Sequence, residues 1–103
     1  MNMQALLKQA QKMQKEVVET ENELKSHIYT AEVSSGAIQA EATGELKVSK
    51  IMIQDEDLLK VENKEMLQDM LVMVVNEVIS KATEEKEQVM NKLTAGVKMP
   101  GGF

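Results

Sequence analysis

The side chains best suited to chemistry lie in the first 15 residues, where lysine is the only ionisable side chain. Lys8, Lys12 and Lys15 are spaced by four and three residues, which places them on one helix face about 10 Å from end to end. Amide side chains surround them and can donate hydrogen bonds to phosphate oxygens. These are Asn2, Gln4, Gln9, Gln11 and Gln14. The pattern is typical either of a phosphate-binding surface, with Gln4 and Gln11 beside the lysines, or of an ordinary solvated helix face.

Composition limits how such a surface could bind nucleic acid. The chain has 12 basic and 17 acidic residues and a net charge of −5, so its long-range field repels phosphate. All the basic residues are lysines, which excludes the bidentate arginine contact to guanine. Tyr29 and Phe103 are the only aromatic residues, so stacking on bases has little support. Any binding to DNA would depend on phosphate contacts, select sequence weakly and fall steeply with salt.

The sequence gives little support for catalysis or metal binding. His27 is the only histidine and there is no cysteine, so neither a nucleophile with partners nor a thiolate metal site is visible. The acids of residues 55–57 are adjacent and are followed by two leucines, unlike the spread ligands of a calcium loop. No phosphate-binding glycine motif is present. We therefore expect no enzymatic activity, no metal, no cofactor and no small-molecule substrate.

Apolar residues at heptad spacing predict a first helix over residues 1–26. The spacing alternates between three and four for three repeats, as in a coiled-coil seam. The seam positions are Met3, Leu6, Ala10, Met13, Val17, Thr20 and Leu24. A helix of about 22 residues is about 33 Å long, more than a domain of 103 residues covers by itself. Two arrangements remain open: the helix packs on its own sheet, or it pairs with a second copy.

Alternation at period two predicts a three-stranded antiparallel sheet over residues 27–53. Residues 27–33 and 37–43 alternate, and the Ser-Ser-Gly between them indicates a tight turn. A third strand is expected over residues 45–53. Its apolar residues change phase between Val48 and Ile51. Either a bulge near Ser49-Lys50 restores one apolar face, or both faces are covered there.

A second helix is expected over residues 64–95, followed by a flexible tail at 96–103. Residues 70–75 read MLVMVV and are apolar all round, which is typical of a helix turn buried on more than one side. One small sheet covers one side, so a second subunit is the simplest cover for the other. The predicted dimer interface consists of Leu67, Met70, Leu71, Val74, Val75 and Val78.

Three segments of the chain resemble the YbaB/EbfC family of bacterial nucleoid-associated proteins. NMQALLKQAQKMQKE at residues 2–16 is similar to the family's N-terminal motif and is the most specific part. Gly-Glu-Leu at 44–46 is similar to its strand after the second turn, and KLTAG at 92–96 with MPGG at 99–102 is similar to its ending. The resemblance spans nearly the whole chain in the right order.

The resemblance implies an α+β fold, with residues 1–103 as a single domain. Its α-β-β-β-α subunit has a three-stranded antiparallel meander and two long helices, and two subunits form an intertwined homodimer. It also implies DNA binding on the nucleoid, in the bacterial cytoplasm, with a role in nucleoid organisation and gene regulation. The family's DNA contacts form no sharp motif, so the assignment of Lys8, Lys12 and Lys15 rests on charge.

An alternative function is a helix-mediated protein–protein interaction module that does not bind DNA. The acidic net charge and the methionines of the second helix favour it.

No run of residues approaches 18 consecutive apolar positions, so we expect a soluble protein that does not bind membranes.

Overall fold

The computed structural model describes residues 2–95, and its elements follow the predicted α-β-β-β-α order. The helices are α1 (Met3–Lys25) and α2 (Lys64–Ala95), and the strands are β1 (Ile28–Val33), β2 (Ile38–Thr43) and β3 (Val48–Ile53). Two short 3-10 turns precede α2, at Glu56–Leu59 and Val61–Asn63. The fold prediction is confirmed; the predicted tail, residues 96–103, lies outside the described residues. None of the helices within residues 2–95 combines the length and the apolar run that a bilayer crossing needs.

The core forms where α2 packs on alternate residues of β2. Ile38, Ala40 and Ala42 are fully buried on one face of β2, and Val74 and Val78 of α2 are fully buried against them. Successive side chains of a strand point to opposite faces, so these three residues form one apolar face. Two of them are alanines, which let the helix axis lie close to the sheet.

A bulge in β3 aligns its apolar residues with this face. The sheet is antiparallel in the order β1-β2-β3. Lys50 pairs with Glu41 but Val48 pairs with Ala42, so Ser49 is the extra residue. The bulge expected at Ser49-Lys50 is therefore confirmed. It puts Val48, Ile51 and Ile53 on the side of the sheet that α2 covers, because cross-strand partners share a face.

α2 nevertheless leaves part of β3 uncovered, although Ile53 at the end of the strand packs against the core. The helix packs mainly over β1 and β2. Val48 is 36% exposed and Ile51 is 41% exposed, although both lie on the α2 side of the sheet. The subunit therefore presents an apolar strip of sheet beside α2, and we call Val48 and Ile51 the open strip.

The subunit is strongly elongated. Its radius of gyration is 20.1 Å and its extents are 71 × 25 × 16 Å, whereas a compact domain of this length has a radius of gyration of about 13 Å. Its accessible surface is 7756 Å², about 2,000 Å² more than expected for a compact monomer of this mass. α1 contributes to the excess, since none of the residues Met3–Lys25 is buried. α1 makes its main contacts with α2.

Replacing Ile38 by alanine should destabilise the protein by about 2–5 kcal/mol, because Ile38 is fully buried and the substitution leaves a cavity. Ile28→Ala is the matched control, since Ile28 is 46% exposed on the opposite face of the sheet; we expect a loss below about 1 kcal/mol. Urea unfolding at one fixed protein concentration measures both. Equal losses in the two variants would contradict this description of the core.

Candidate nucleic-acid interface

α1 begins where Asn2 caps it. The Asn2 side-chain oxygen accepts a hydrogen bond from the Gln4 backbone N–H at 3.0 Å, which satisfies one of the free donors of the first turn. The helix then continues through glutamine, lysine, alanine and glutamate, which are good helix formers. Lys25 in the last turn suits the helix dipole. These local interactions matter here because no residue of Met3–Lys25 is buried.

The three lysines lie on the side of α1 that points away from α2. Leu6, Met13 and Val17 of the predicted seam are half-buried. At 100° per residue, Lys8 and Lys15 lie about 160–180° around the helix from the centre of these residues and Lys12 about 120°, and all three lysines are exposed. We call Lys8, Lys12 and Lys15 the lysine face. Gln4 and Gln11 are exposed within about 60° of Lys8, so the five predicted DNA-binding residues share one accessible surface.

The charge of α1 changes sign at its middle. Four glutamates follow the lysine face, at positions 16, 19, 21 and 23. Lys15 stands at the boundary, and its Nζ lies 4.0 Å from a carboxylate oxygen of Glu19. Both side chains are largely exposed, so this pair contributes little and leaves Lys15 free to turn to a phosphate. The cationic surface is therefore the N-terminal half of the helix, which is about 20 Å long.

The other end of α1 is fixed to the sheet by a short corner. The backbone N–H groups of Ser26 and His27 both donate to the Leu24 carbonyl oxygen. The His27 ring then packs edge-on against Tyr29, with centroids 4.6 Å apart. Burial, and secondarily the Glu85 carboxylate, raise the pKa of Tyr29 above its ordinary value. The contact with Tyr29 places the His27 ring at the base of α1. Among residues 2–95, no group of three or more acidic or histidine side chains is arranged to hold a metal ion.

The residues predicted for the dimer interface divide into two groups. Leu67, Met70, Leu71 and Val75 are half-buried at the edges of the core. Val74 and Val78 have no exposed surface within one subunit, because the sheet covers them. These two valines are core residues of the single subunit and have no area to offer a second copy.

The exposed apolar residues of α2 identify the side that lacks cover. Lys81 Nζ donates to the Thr30 carbonyl of β1 at 2.7 Å, so that flank of α2 faces β1. Val75 lies about 120° and Val72 about 180° around the helix from Lys81, on the flank towards β3. Val72 is 62% exposed. The half-buried Val75 and exposed Val72 therefore lie beside the open strip.

Sequence reasoning did not identify the open strip as part of an interface. It predicts Val48 and Ile51 in a strand whose apolar residues are covered. The phase change between them is a signal for the bulge, but the lateral position of α2 over the sheet decides their exposure.

The family model described as the YbaB/EbfC DNA-binding family matches residues 1–97. The chain belongs to the YbaB/EbfC DNA-binding family. This confirms the resemblance seen in the N-terminal motif, and it places the lysine face within a protein of that family.

Relatives called nucleoid-associated proteins align over nearly the whole chain. A nucleoid-associated protein of Clostridium acetobutylicum is 39% identical over 100 residues, covering 97% of this chain and 88% of the relative. One from Rickettsia africae is 37% identical over 102 residues, covering 99% and 94%. The crystal structure of an uncharacterized protein from Helicobacter pylori has the same fold. It matches with a TM-score of 0.71 and 24% identity, covering 90% of this chain and 97% of that one.

Removing the cap of this YbaB/EbfC helix should loosen its cationic end. Asn2→Ala removes the side-chain acceptor of the Gln4 N–H and should cost about 1 kcal/mol of local helix stability. Hydrogen exchange of the amides of residues 3–6 should then be faster, while exchange in β2 is unchanged. Asn2→Ser restores a capping oxygen and should restore slow exchange. Unchanged first-turn exchange in Asn2→Ala would refute the role of the cap.

Proposed function

We propose that two copies of this chain form a homodimer that binds DNA through the lysine faces of both α1 helices. In this proposal the contacts are to phosphates, sequence preference is weak, and the protein acts on the bacterial nucleoid in the cytoplasm, in nucleoid organisation and gene regulation. Membership of a DNA-binding family supports the ligand, and relatives called nucleoid-associated proteins support the location.

The observation that carries the proposal is the exposed, cationic half of α1. A helix without a buried residue between Met3 and Lys25 adds little to the core of its own subunit. The three lysines of the lysine face precede every acidic residue of the chain, although the helix dipole favours acids in the first turn. Stability does not account for this order of charges, whereas binding to an anionic polymer does.

The absence of arginine determines the kind of binding. Lysine is a point charge that suits single phosphate oxygens and does not form the two-pronged contact by which arginine reads guanine. Glutamine amides such as Gln4 and Gln11 add hydrogen bonds to the backbone of DNA. The protein therefore recognises the charge and shape of the duplex more than its bases.

The open strip and the β3-facing flank of α2 are the proposed dimer face. Val48, Ile51 and Val72 are exposed apolar residues on this side, and Val75 is half-buried beside them. Leu67 and Leu71 remain in the proposed interface. Val74 and Val78 are left out of it, and so is Met70, which lies about 20° around the helix from Lys81 on the β1 flank.

Neutralising the lysine face should abolish most DNA affinity. Six lysines in a dimer neutralise about six phosphates, so log K for the wild-type protein should fall with log[salt] at a slope of about −5. The triple variant Lys8→Gln, Lys12→Gln, Lys15→Gln should lose at least about a thousandfold at 0.1 M salt and keep its fold. Gel-shift titrations of one duplex across salt concentrations measure both the slope and the loss.

The matched control is Lys47→Gln, Lys50→Gln, Lys64→Gln, which removes three exposed lysines outside α1. Both triple variants have a formal net charge of −8, the −5 of the chain less three positive charges. We expect the control to bind within a few-fold of wild type. Equal losses of DNA affinity in the two triple variants would mean that binding depends on net charge and not on the lysine face. Absence of any shift for wild type at low salt would instead favour the protein-interaction module.

Placing a charge on the open strip should separate the dimer. Ile51→Lys puts an ammonium group on a surface that the proposal buries between subunits, and an unpaired buried charge is strongly unfavourable. Ile28→Lys is the control, since Ile28 is similarly exposed but lies on the other face of the sheet. Sedimentation velocity at micromolar concentration should find monomer for Ile51→Lys and dimer for Ile28→Lys. A dimeric Ile51→Lys protein would place the interface elsewhere.

A further inference from the structure

Gly44 lies at the point where the end of α1 meets the sheet. It follows β2 directly and is buried. A Cβ atom at this position would overlap the carbonyl group of Leu24 and would lie 3.1 Å from the backbone nitrogen of Lys25. The main chain of the last turn of α1 therefore rests directly on Gly44, an approach that only a residue without a side chain allows.

The sheet side of this contact is held more firmly than the helix side. The Gly44 N–H donates to the His27 carbonyl at 3.1 Å, which extends the pairing of β1 with β2. The adjacent turn is closed by Thr43 N–H to Lys47 O and by Leu46 N–H to Thr43 O, both at 2.9 Å. By contrast, no residue of Met3–Lys25 is buried. An added methyl group would therefore move α1 and leave the sheet in place.

We propose that Gly44 is a positioning residue for DNA binding: it sets the direction in which α1 leaves the sheet, and thereby the position of the lysine face. The inference rests on the proposed function, because the lysine face matters only if it contacts DNA. Gly44 itself is buried at the base of α1 and acts through the backbone of Leu24.

The length of α1 amplifies small changes at its base. Lys8 precedes Leu24 by 16 residues, or about 24 Å along the helix. A tilt of about 10° at Leu24 then moves Lys8 by about 4 Å, which exceeds the 3.4 Å by which successive phosphates of one strand advance along the DNA axis. Such a shift separates lysines from phosphates while every lysine stays charged and exposed. Removing one lysine–phosphate interaction lowers the affinity about tenfold at 0.1 M salt.

The test compares alanine at two glycines of the sheet. Gly44 has no left-handed φ, so Gly44→Ala acts through the overlap with Leu24. Gly36→Ala is the control: Gly36 has φ +89, so alanine strains the backbone there, but it lies in the β1–β2 turn at the other end of β2 from Gly44. Both variants should lower stability. Only Gly44→Ala should lower DNA affinity, by about tenfold or more.

The direction of α1 is measured separately, by a distance within one chain. Because the chain has no cysteine, spin labels can be attached at Gln9→Cys on α1 and Asn76→Cys on α2, both exposed. Dilution with excess unlabelled protein isolates the distance within one chain. Gly44→Ala should shift this distance by several ångström, and Gly36→Ala should leave it unchanged. An unshifted distance with wild-type affinity in folded Gly44→Ala would overturn the proposal.

A second variant covers the case in which Gly44→Ala does not fold. Insertion of two glycines between Ser26 and His27 keeps every side chain and releases α1 from its fixed direction. The label distances should broaden and affinity should fall about tenfold or more. Broadened distances with wild-type affinity would refute the proposal, because the direction of α1 would then have no influence on DNA binding. A narrow, wild-type distribution would support it, because the contact of Leu24 with Gly44 precedes the insertion and would then hold α1 by itself. If wild-type protein does not bind DNA, the proposed function fails, while the label distance still tests whether Gly44 directs α1.

Discussion

The packing of α2 on β2 is the interaction on which the rest of the subunit depends. Ile38, Ala40 and Ala42 provide a narrow apolar face, and Val74 and Val78 fill it completely. Because the face is narrow and two of its residues are small, one helix suffices to cover it. α2 then has length to spare for contact with α1, and Val48 and Ile51 of β3 are left exposed on the same side of the sheet.

Separation of charge along α1 reconciles an acidic chain with an anionic ligand. Lys8 and Glu16 are eight residues apart, or about 12 Å along the helix. This exceeds the Debye length of about 10 Å at 0.1 M salt, so an approaching phosphate near Lys8 is largely screened from the glutamates that follow, whereas Lys15 lies next to Glu16 and 4.0 Å from Glu19. The net charge of −5 therefore opposes the long-range attraction of DNA, but it has less influence on a phosphate that is already in contact with Lys8. A projecting helix is one way to place cations at this distance from the body of the protein.

Local pattern was sufficient to predict the elements of the fold. The heptad seam predicted α1, alternation predicted the strands, and the phase change in β3 predicted the bulge at Ser49-Lys50. Each of these signals depends on side-chain periodicity within a few turns or residues, which the chain shows without reference to its tertiary contacts. The lysine face could be proposed for the same reason, since helical spacing alone places three lysines together and opposite the seam.

By itself, the sequence determined which residues are apolar, which are charged and which share a face of their own helix or strand. Only the tertiary structure decided which apolar residues are already covered within a subunit. Val72, Val74 and Val75 are alike in type, yet Val74 is fully buried and Val72 is 62% exposed, because the position of α2 across the sheet selects one face. The contact of Gly44 with Leu24 likewise joins two segments 20 residues apart, and helical or strand periodicity carries no information about such a meeting.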